Sequence, residues 1–274
     1  MKIGIIGQGF VGNAVYQKLK KGFDVKTYDT KGMIYCNSRE QETLDNEVVF
    51  ICLPTPMNQD GSCHTGIVEA AIKRVFEFGV AKIVVIKSTV PPGTCAKWSK
   101  QFPSLDIIFN PEFLTEANAV NDFNNQTRII LGGPLAATTK LKTVFSKVFP
   151  NASIIKTDST NAEMVKYVTN TFLATKVSFA NEMYQICGKL GIDYDKVIEY
   201  VCYDNRLGKS HWSVPGPDGD FGFGGHCFPK DLQALISLAH DLNVQPRILN
   251  SVDTKNNEVR KNKDWEEMKG RAII

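Results

Sequence analysis

Lys2-Ile3-Gly4-Ile5-Ile6-Gly7-Gln8-Gly9-Phe10-Val11-Gly12 is the stretch whose reading decides the fold. A short apolar run passes directly into three spaced glycines and then into a helical pattern, the opening of a dinucleotide-binding unit. Gly7 permits the tight turn, Gly9 lets a pyrophosphate approach the backbone, and Gly12 lets the helix pack on the strand. A lone glycine cluster of this kind is weak, so its surroundings have to carry it. They do: a second apolar run, 24–28, ends at Asp29, a carboxylate suited to a ribose diol and repellent to the phosphate of NADP. Lys26 and Lys31 lie close by and soften that discrimination.

Working outward, strands are expected at 2–6, 24–28, 48–53, 82–87, 106–109 and 128–131, with a short last one at 153–155. Helices are expected at 11–20, 67–78, 94–101 and 135–149. Ile83-Val84-Val85-Ile86 is apolar without alternation, as a parallel strand buried on both faces should be. The pattern predicts an α/β fold, an N-terminal Rossmann-type doubly wound sheet spanning 1–157. Beyond it, 158–262 reads as a mostly α-helical domain, and 263–274 as a polar, loosely held tail. Thr160 and Glu163 have capping-box spacing at the head of a long helix. Val165, Val168, Phe172, Phe179, Met183, Ile186 and Leu190 then recur at sums of three and four, with Gly188 and Gly191 as the stop. A helix of about 30 residues spans roughly 45 Å, more than a small domain shelters alone. It is either a core helix or one shared by two subunits. Further helices are expected at 193–201, 230–242 and 246–261.

Composition bounds the rest. A chain of 274 residues exceeds what one core usually organises, and 43% hydrophobic with 22% charged residues excludes wholesale disorder. Lys+Arg 32 against Asp+Glu 29 is too balanced for a chain that coats nucleic acid. No apolar run approaches the roughly 20 residues of a bilayer span, and Met1-Lys2-Ile3-Gly4 opens a strand rather than a signal peptide. The seven cysteines are scattered without a CxxC pair, which argues against a disulfide framework and against a zinc site. The expectation is a soluble, cytoplasmic protein with no metal, no nucleic-acid partner and no membrane.

Candidate chemistry lies at the strand ends and in the second half. Leu53-Pro54-Thr55-Pro56 and Ser88-Thr89-Val90-Pro91-Pro92-Gly93 end the third and fourth strands, where ligands bind in such sheets. On local grounds Ser88 and Thr89 are equally N-cap or turn hydroxyls. In Asn110-Pro111-Glu112-Phe113-Leu114-Thr115-Glu116, two carboxylates face one way if the stretch is helical. Acids at a helix start need no further reason to be there. Lys166 and Asn170, four apart, suit an oxyanion or simply form an exposed polar face. In Gly222-Phe223-Gly224-Gly225-His226-Cys227-Phe228-Pro229-Lys230-Asp231, glycine-rich backbone forms a loop and Pro229 starts a helix. Cys227 then sits just before the helix, where dipole and free amides favour a thiolate nucleophile. The alternatives are a small buried apolar residue for Cys227 and a dipole-matching acid for Asp231.

Together these segments resemble the nucleotide-sugar dehydrogenases, the UDP-glucose/GDP-mannose dehydrogenase family. The carriers are GQGFVG at 7–12, LPTP at 53–56, KSTVPPG at 87–93, NPEFLTE at 110–116, AEMVKYVTN at 162–170, RLG at 206–208 and GFGGHCFPKD at 222–231. The resemblance covers nearly the whole chain. It implies NAD-dependent four-electron oxidation of a sugar 6-hydroxyl to a carboxylate, UDP-glucose being the first choice of substrate. GDP-mannose and UDP-N-acetylmannosamine are the alternatives, as is an NAD-binding module that has lost catalysis. By the same resemblance Cys227 is the nucleophile, Lys166 and Asn170 hold substrate and oxyanion, Asp231 and Thr89 surround the catalytic water, and Glu112 serves thioester hydrolysis. Gly7, Gln8, Gly9, Phe10, Val11, Gly12, Asp29, Leu53, Pro54, Thr55, Ser88, Thr89, Glu116 and Lys230 are then cofactor-binding. Glu112, Phe113, Leu114, Arg206, Phe221, Phe223, Gly224 and Gly225 are substrate-binding, together with Lys166, Asn170 and Cys227. Arg206 is expected to act across a homodimer formed through the long helix. Two departures stand out: the chain reads as a short form lacking the family's C-terminal nucleotide-binding domain, and 212–220 looks like a lengthened loop.

Overall fold

The computed structural model describes residues 1–32 and 36–274. The chain divides into two compact units, Met1–Thr55 with His64–Lys166, and Pro56–Cys63 with Tyr167–Ile274. The division falls after Lys166, and the excursion Pro56–Cys63 belongs with the second unit.

The first unit is built on a seven-stranded sheet of β1 (Lys2–Ile6), β2 (Asp24–Tyr28), β3 (Val48–Ile51), β4 (Ile83–Ile86), β5 (Asp106–Phe109), β6 (Arg128–Gly132) and β7 (Ser153–Thr157). The order is β2-β1-β3-β4-β5-β6-β7, parallel except where Phe109 faces Gly132 between β5 and β6. After β1 the chain runs outward to β2, then crosses back to β3 on the other side of β1. That reversal is the switch point at which doubly wound sheets bind ligands. Around the sheet run α1 (Phe10–Leu19), α2 (Glu40–Leu44), α3 (Gly66–Phe78), α4 (Thr94–Gln101), α5 (Ala119–Asn124) and α6 (Leu135–Val148). The short α2 and α5 carry no usable apolar period and escape the sequence pattern.

Both faces of the sheet are covered, which is why the strands do not alternate in polarity. Ile3, Ile5, Phe50, Val85 and Ile108 pack with Val15, Leu141 and Phe145 on one face. Val49, Ile51, Val84, Ile86 and Ile107 pack with Val68, Ile72 and Trp98 on the other. Each fully buried side chain of this size contributes roughly 1.5–3 kcal/mol, enough to hold the strand ends that carry the site.

The 32-residue α7 (Ser159–Leu190) contributes its beginning, up to Lys166, to the first unit and the remainder to the second. Its expected capping box does not form. Asp158 Oδ1 accepts the Asn161 N–H at 2.9 Å, while the Glu163 carboxylate accepts the N–H groups of Gly93 at 2.6 Å and Cys95 at 2.8 Å. Glu163 thus caps α4, a helix with no capping side chain of its own. Gly188 lies inside α7, and the stop is Gly191 alone, at φ +70. The Ile192 N–H returns to Cys187 O at 3.0 Å, a Schellman closure.

The second unit adds α8 (Tyr194–Val201), α9 (Phe228–Asp241) and α10 (Arg247–Val259). Trp212, Tyr194, Ala180 and Val214 form one of its apolar clusters; Phe223, Leu232, Val252 and Ala174 form another. The tail expected to hang loosely is docked. Trp265 and Ala272 are buried, the Met57 N–H donates to Ala272 O at 2.7 Å, and the Ile274 N–H donates to Met57 O at 3.1 Å. A backbone ladder and one buried indole outweigh a polar local composition.

Candidate active site

In the first unit the glycines do what their positions require. Gly7 holds φ +92, and a Cβ there would come 2.3 Å from Cys52 O. A Cβ on Gly12 would come 1.9 Å from Gly7 O, so helix and turn touch. At Gly9 a Cβ would meet nothing within 4 Å. Open space therefore lies beside the first turn of α1, whose N-terminus has neither a capping side chain nor an acid. Such a terminus suits an anion. Asp29 accepts the N–H of Gln8 and the N–H of Lys31, both at 2.8 Å. Gln8 Oε1 is buried without a partner among the described residues. The open space at Gly9, the Asp29 carboxylate at the end of β2 and the buried Gln8 amide oxygen together fit an NAD molecule.

The turns after β3 and β4 are tied to each other. Ser88 Oγ accepts the Leu53 N–H at 3.0 Å, and Thr55 Oγ1 donates to Thr89 O at 2.7 Å. Ser88 is therefore a link between two strand ends rather than a helix cap. Thr89 is buried beside it and Pro54 is exposed. Phe10, Asn13 and Glu116–Asn118 border a cavity of about 330 Å³.

Glu112 and Glu116 do not share a helical face, because the backbone from 110 to 115 is irregular. Their fates differ accordingly. Glu116 is exposed, whereas Glu112 is buried. Lys166 Nζ donates to Glu112 Oε1 at 2.9 Å and to Glu112 O at 2.6 Å, and the Leu114 N–H donates to Oε2 at 2.7 Å. The Phe113 ring centroid lies 5.6 Å from Lys166 Nζ. Burial pushes the Glu112 carboxyl up, but Lys166, the Leu114 N–H and Lys87 outweigh it and hold it below its ordinary value. Lys87 completes the cluster, and the sequence pattern does not single it out. Its ammonium donates to Asn110 Oδ1 at 3.0 Å, and burial lowers it to about 8. The one signal for it in the sequence is a lysine closing a strand buried on both faces.

The second unit holds the other constellation. Cys227 is the N-cap residue of α9, and Pro229 stands in the first turn. Lys230 Nζ donates to Asp231 Oδ1 at 2.5 Å, and Asn170 Nδ2 donates to Asp231 Oδ2 at 2.6 Å. All three side chains are buried, so Asp231 is more than a dipole-matching acid. Burial pulls Lys230 down, yet Asp231 and the thiols of Cys63 and Cys227 reverse this and leave it above its ordinary value. Lys166 and Asn170, paired by spacing, thus engage different carboxylates. The loop before α9 is held by side chains: the Gly222 N–H donates to Asn181 Oδ1 at 3.2 Å and the Phe223 N–H to Asn256 Oδ1 at 2.8 Å. Gly222 and Gly225 take φ +69 and +70. Phe221 is exposed against Tyr184, and the Arg206 side chain is 88% exposed beside Asp204. Among the described residues no His, Cys, Asp or Glu group is arranged to hold a metal ion, and no helix is long and apolar enough to cross a membrane.

Comparison with known proteins agrees with both units. Residues 25–152 match the NAD binding domain of the UDP-glucose/GDP-mannose dehydrogenase family, and residues 160–258 match its central domain. UDP-glucose 6-dehydrogenase TuaD of Bacillus subtilis is 35% identical over 223 residues, which are 78% of this chain and 47% of that protein. The chain spans about half the length of the curated relatives it matches. A UDP-glucose dehydrogenase structure from Pyrobaculum islandicum superposes with a TM-score of 0.83 at 29% identity, covering 94% of this chain and 68% of that one. A GDP-mannose dehydrogenase from Pseudomonas aeruginosa gives a TM-score of 0.67 at 27% identity, covering 94% and 69%. With both domains matched in order along most of its length, this chain belongs to the UDP-glucose/GDP-mannose dehydrogenase family.

Proposed function

We propose that the protein carries out NAD-dependent four-electron oxidation of the 6-hydroxyl of a nucleotide sugar, UDP-glucose to UDP-glucuronate. The observation that carries this is Cys227 at the head of α9 with Asn170, Lys230 and Asp231 buried in one hydrogen-bonded set behind it. A two-electron dehydrogenase has no use for a thiol in that position. Gly7, Gly9, Gly12 and Asp29 would hold NAD, and two NAD molecules in succession would each accept one hydride. The chain's own residues do the rest. Lys166, held by Glu112, steadies the sugar 6-oxygen while the hydroxyl proton passes through water to solvent and the 6-carbon gives up the first hydride, leaving an aldehyde. The Cys227 sulfur adds to the resulting aldehyde carbon and gives a thiohemiacetal; loss of a second hydride leaves a thioester. Water, oriented by Asp231 and Thr89, attacks the thioester carbon, and Glu112 takes its proton. The carbon–sulfur bond breaks and the thiol and carboxylate product are restored.

GDP-mannose is the second reading, favoured by the likeness to the Pseudomonas enzyme. Asp29 supports NAD over NADP. A homodimer rests on the exposed Val168, Phe172, Phe179, Ile186 and Leu190 of α7, and Arg206, exposed in its own chain, is the residue it would lend to its partner. The substrate class supports a cytoplasmic location. Turnover with a panel of UDP- and GDP-sugars tests the proposal: two NADH per sugar and an acid product are expected. One NADH with a carbonyl product, or none with any sugar, sinks it.

A further inference from the structure

Two features have no part in the proposed reaction, the 212–220 loop and the chain beyond α10. One side chain joins them. Arg260 is 1% exposed at its side chain, and all of its guanidinium nitrogens are engaged. Nη1 donates to Asp218 Oδ2 at 2.7 Å, Nε donates to Asn262 O at 2.7 Å, and Nη2 donates to Asp264 Oδ1 at 3.3 Å. Nη2 also lies 3.8 Å from Asp220 Oδ2. Asp264 passes this on: both its oxygens accept the Gly225 N–H, at 3.1 Å each. One turn before Arg260, Asn256 brackets Phe223, accepting its N–H and donating to its carbonyl at 3.0 Å. Steric fit points the same way. A Cβ on Gly224 would come 2.3 Å from both Arg260 Nη2 and Asp264 Oδ1, and one on Gly222 would come 2.3 Å from Asn256 Oδ1.

A loop this rich in glycine samples many backbone conformations unless something holds it. Among the described residues no neighbouring strand does so; the holding groups are the side chains of Asn181, Asn256 and Asp264, and Asp264 is itself bonded to the Arg260 fork. Three carboxylates gather around one cation, and without it they would repel one another. Lysine, a point charge with no planar fork, is a poor substitute at such a site.

We propose that Arg260 is a positioning residue for Cys227: through Asp264, and by contact at Gly224, it fixes the 222–225 loop and so presents the thiol at the head of α9. The inference rests on Cys227 being the nucleophile of the proposed reaction. It also assigns the 212–220 loop a task, since Asp218 and Asp220 hold the guanidinium in place.

The test is alkylation of Cys227 by iodoacetamide in the full chain, resolved by peptide mass spectrometry with Cys36 of the first unit as internal reference. Arg260→Met is expected to fold, because Asp264, Asp220 and Asp218 are 30%, 39% and 48% exposed at their side chains and return to water. It should speed Cys227 alkylation at least fivefold relative to Cys36. It should also lower kcat at least tenfold, with the KM for NAD within twofold of wild type. Arg260→Lys should lie between the two, and Asp264→Asn should shift alkylation in the same direction by less. A folded Arg260→Met protein whose Cys227 reacts within twofold of wild type overturns the proposal. If that variant does not fold, Asp264→Asn decides by the same criterion. Alkylation needs no substrate, so the positioning role is tested even in a protein that oxidises no nucleotide sugar.

Discussion

Replacing Cys227 by serine separates a nucleophile from a small buried filler. A filler would cost about 1–3 kcal/mol of stability for an unsatisfied hydroxyl and leave kcat of the folded fraction intact. For a nucleophile the serine ester resists the water that cleaves a thioester, so turnover collapses while one round of oxidation survives. A folded Cys227→Ser enzyme keeping more than about a tenth of wild-type turnover, a loss below about 1.4 kcal/mol, would falsify the four-electron mechanism. Glu112 is the second decisive residue, because its carboxylate acts on two buried lysines, Lys166 and Lys87. Glu112→Gln strands those charges and should cost about 3–5 kcal/mol. The loss should depend on pH. Lys87 sits at about 8 against its ordinary 10.5, so the unfolded chain binds more protons in that window and stability rises with pH across it. Without Glu112, which raises Lys87, the lower edge of the window moves down. The deficit of the variant should therefore shrink between pH 6 and pH 9; urea unfolding at both values that showed an equal deficit would refute this account.

Among the elements, α7 shows how a sequence pattern and its use can part. Thr160 and Glu163 have the spacing of a box, yet Glu163 turns away to the amides of Gly93 and Cys95 at the head of α4. Glu163→Ala should lose about 1–3 kcal/mol for each amide left unsatisfied, whereas Thr160→Ala, on the exposed side, should stay within about 0.5 kcal/mol. Denaturant unfolding of the two variants separates the alternatives: equal losses would restore the box. Strand limits are legible to within two residues because buried parallel strands are apolar throughout. The short α2 and α5 are not, since five or six residues hold no period.

At the scale of the molecule, α7 leaves Val168, Phe172, Phe179, Ile186 and Leu190 in water within one chain, with exposures from 46% to 67%. Apolar surface of that extent along one helix is the ground for the proposed dimer. Phe172→Asp with Phe179→Asp should convert a micromolar dimer into a monomer in sedimentation equilibrium, while leaving the glycine turn able to bind NAD. A wild-type monomer at that concentration contradicts the assembly.

What the residues determine by themselves is local. Gly7 must be glycine because its φ is positive, Ile83–Ile86 is a buried strand because no residue in it is polar, and Cys227 heads a helix because Pro229 follows. Each of these depends on neighbours a few positions away, and sequence displays such neighbours directly. Tertiary structure alone decided the pairings of distant residues. Lys166 reaches Glu112 rather than forming a unit with Asn170, Glu163 caps a helix 70 positions earlier, and the 263–274 tail docks on Met57. The Arg260 cluster gathers Asp218, Asp220 and Asp264 around one buried guanidinium. The physical reason is common to all of them: a buried charge or amide takes whichever partner the folded backbone brings within about 3 Å, and no spacing along the chain encodes which one that is.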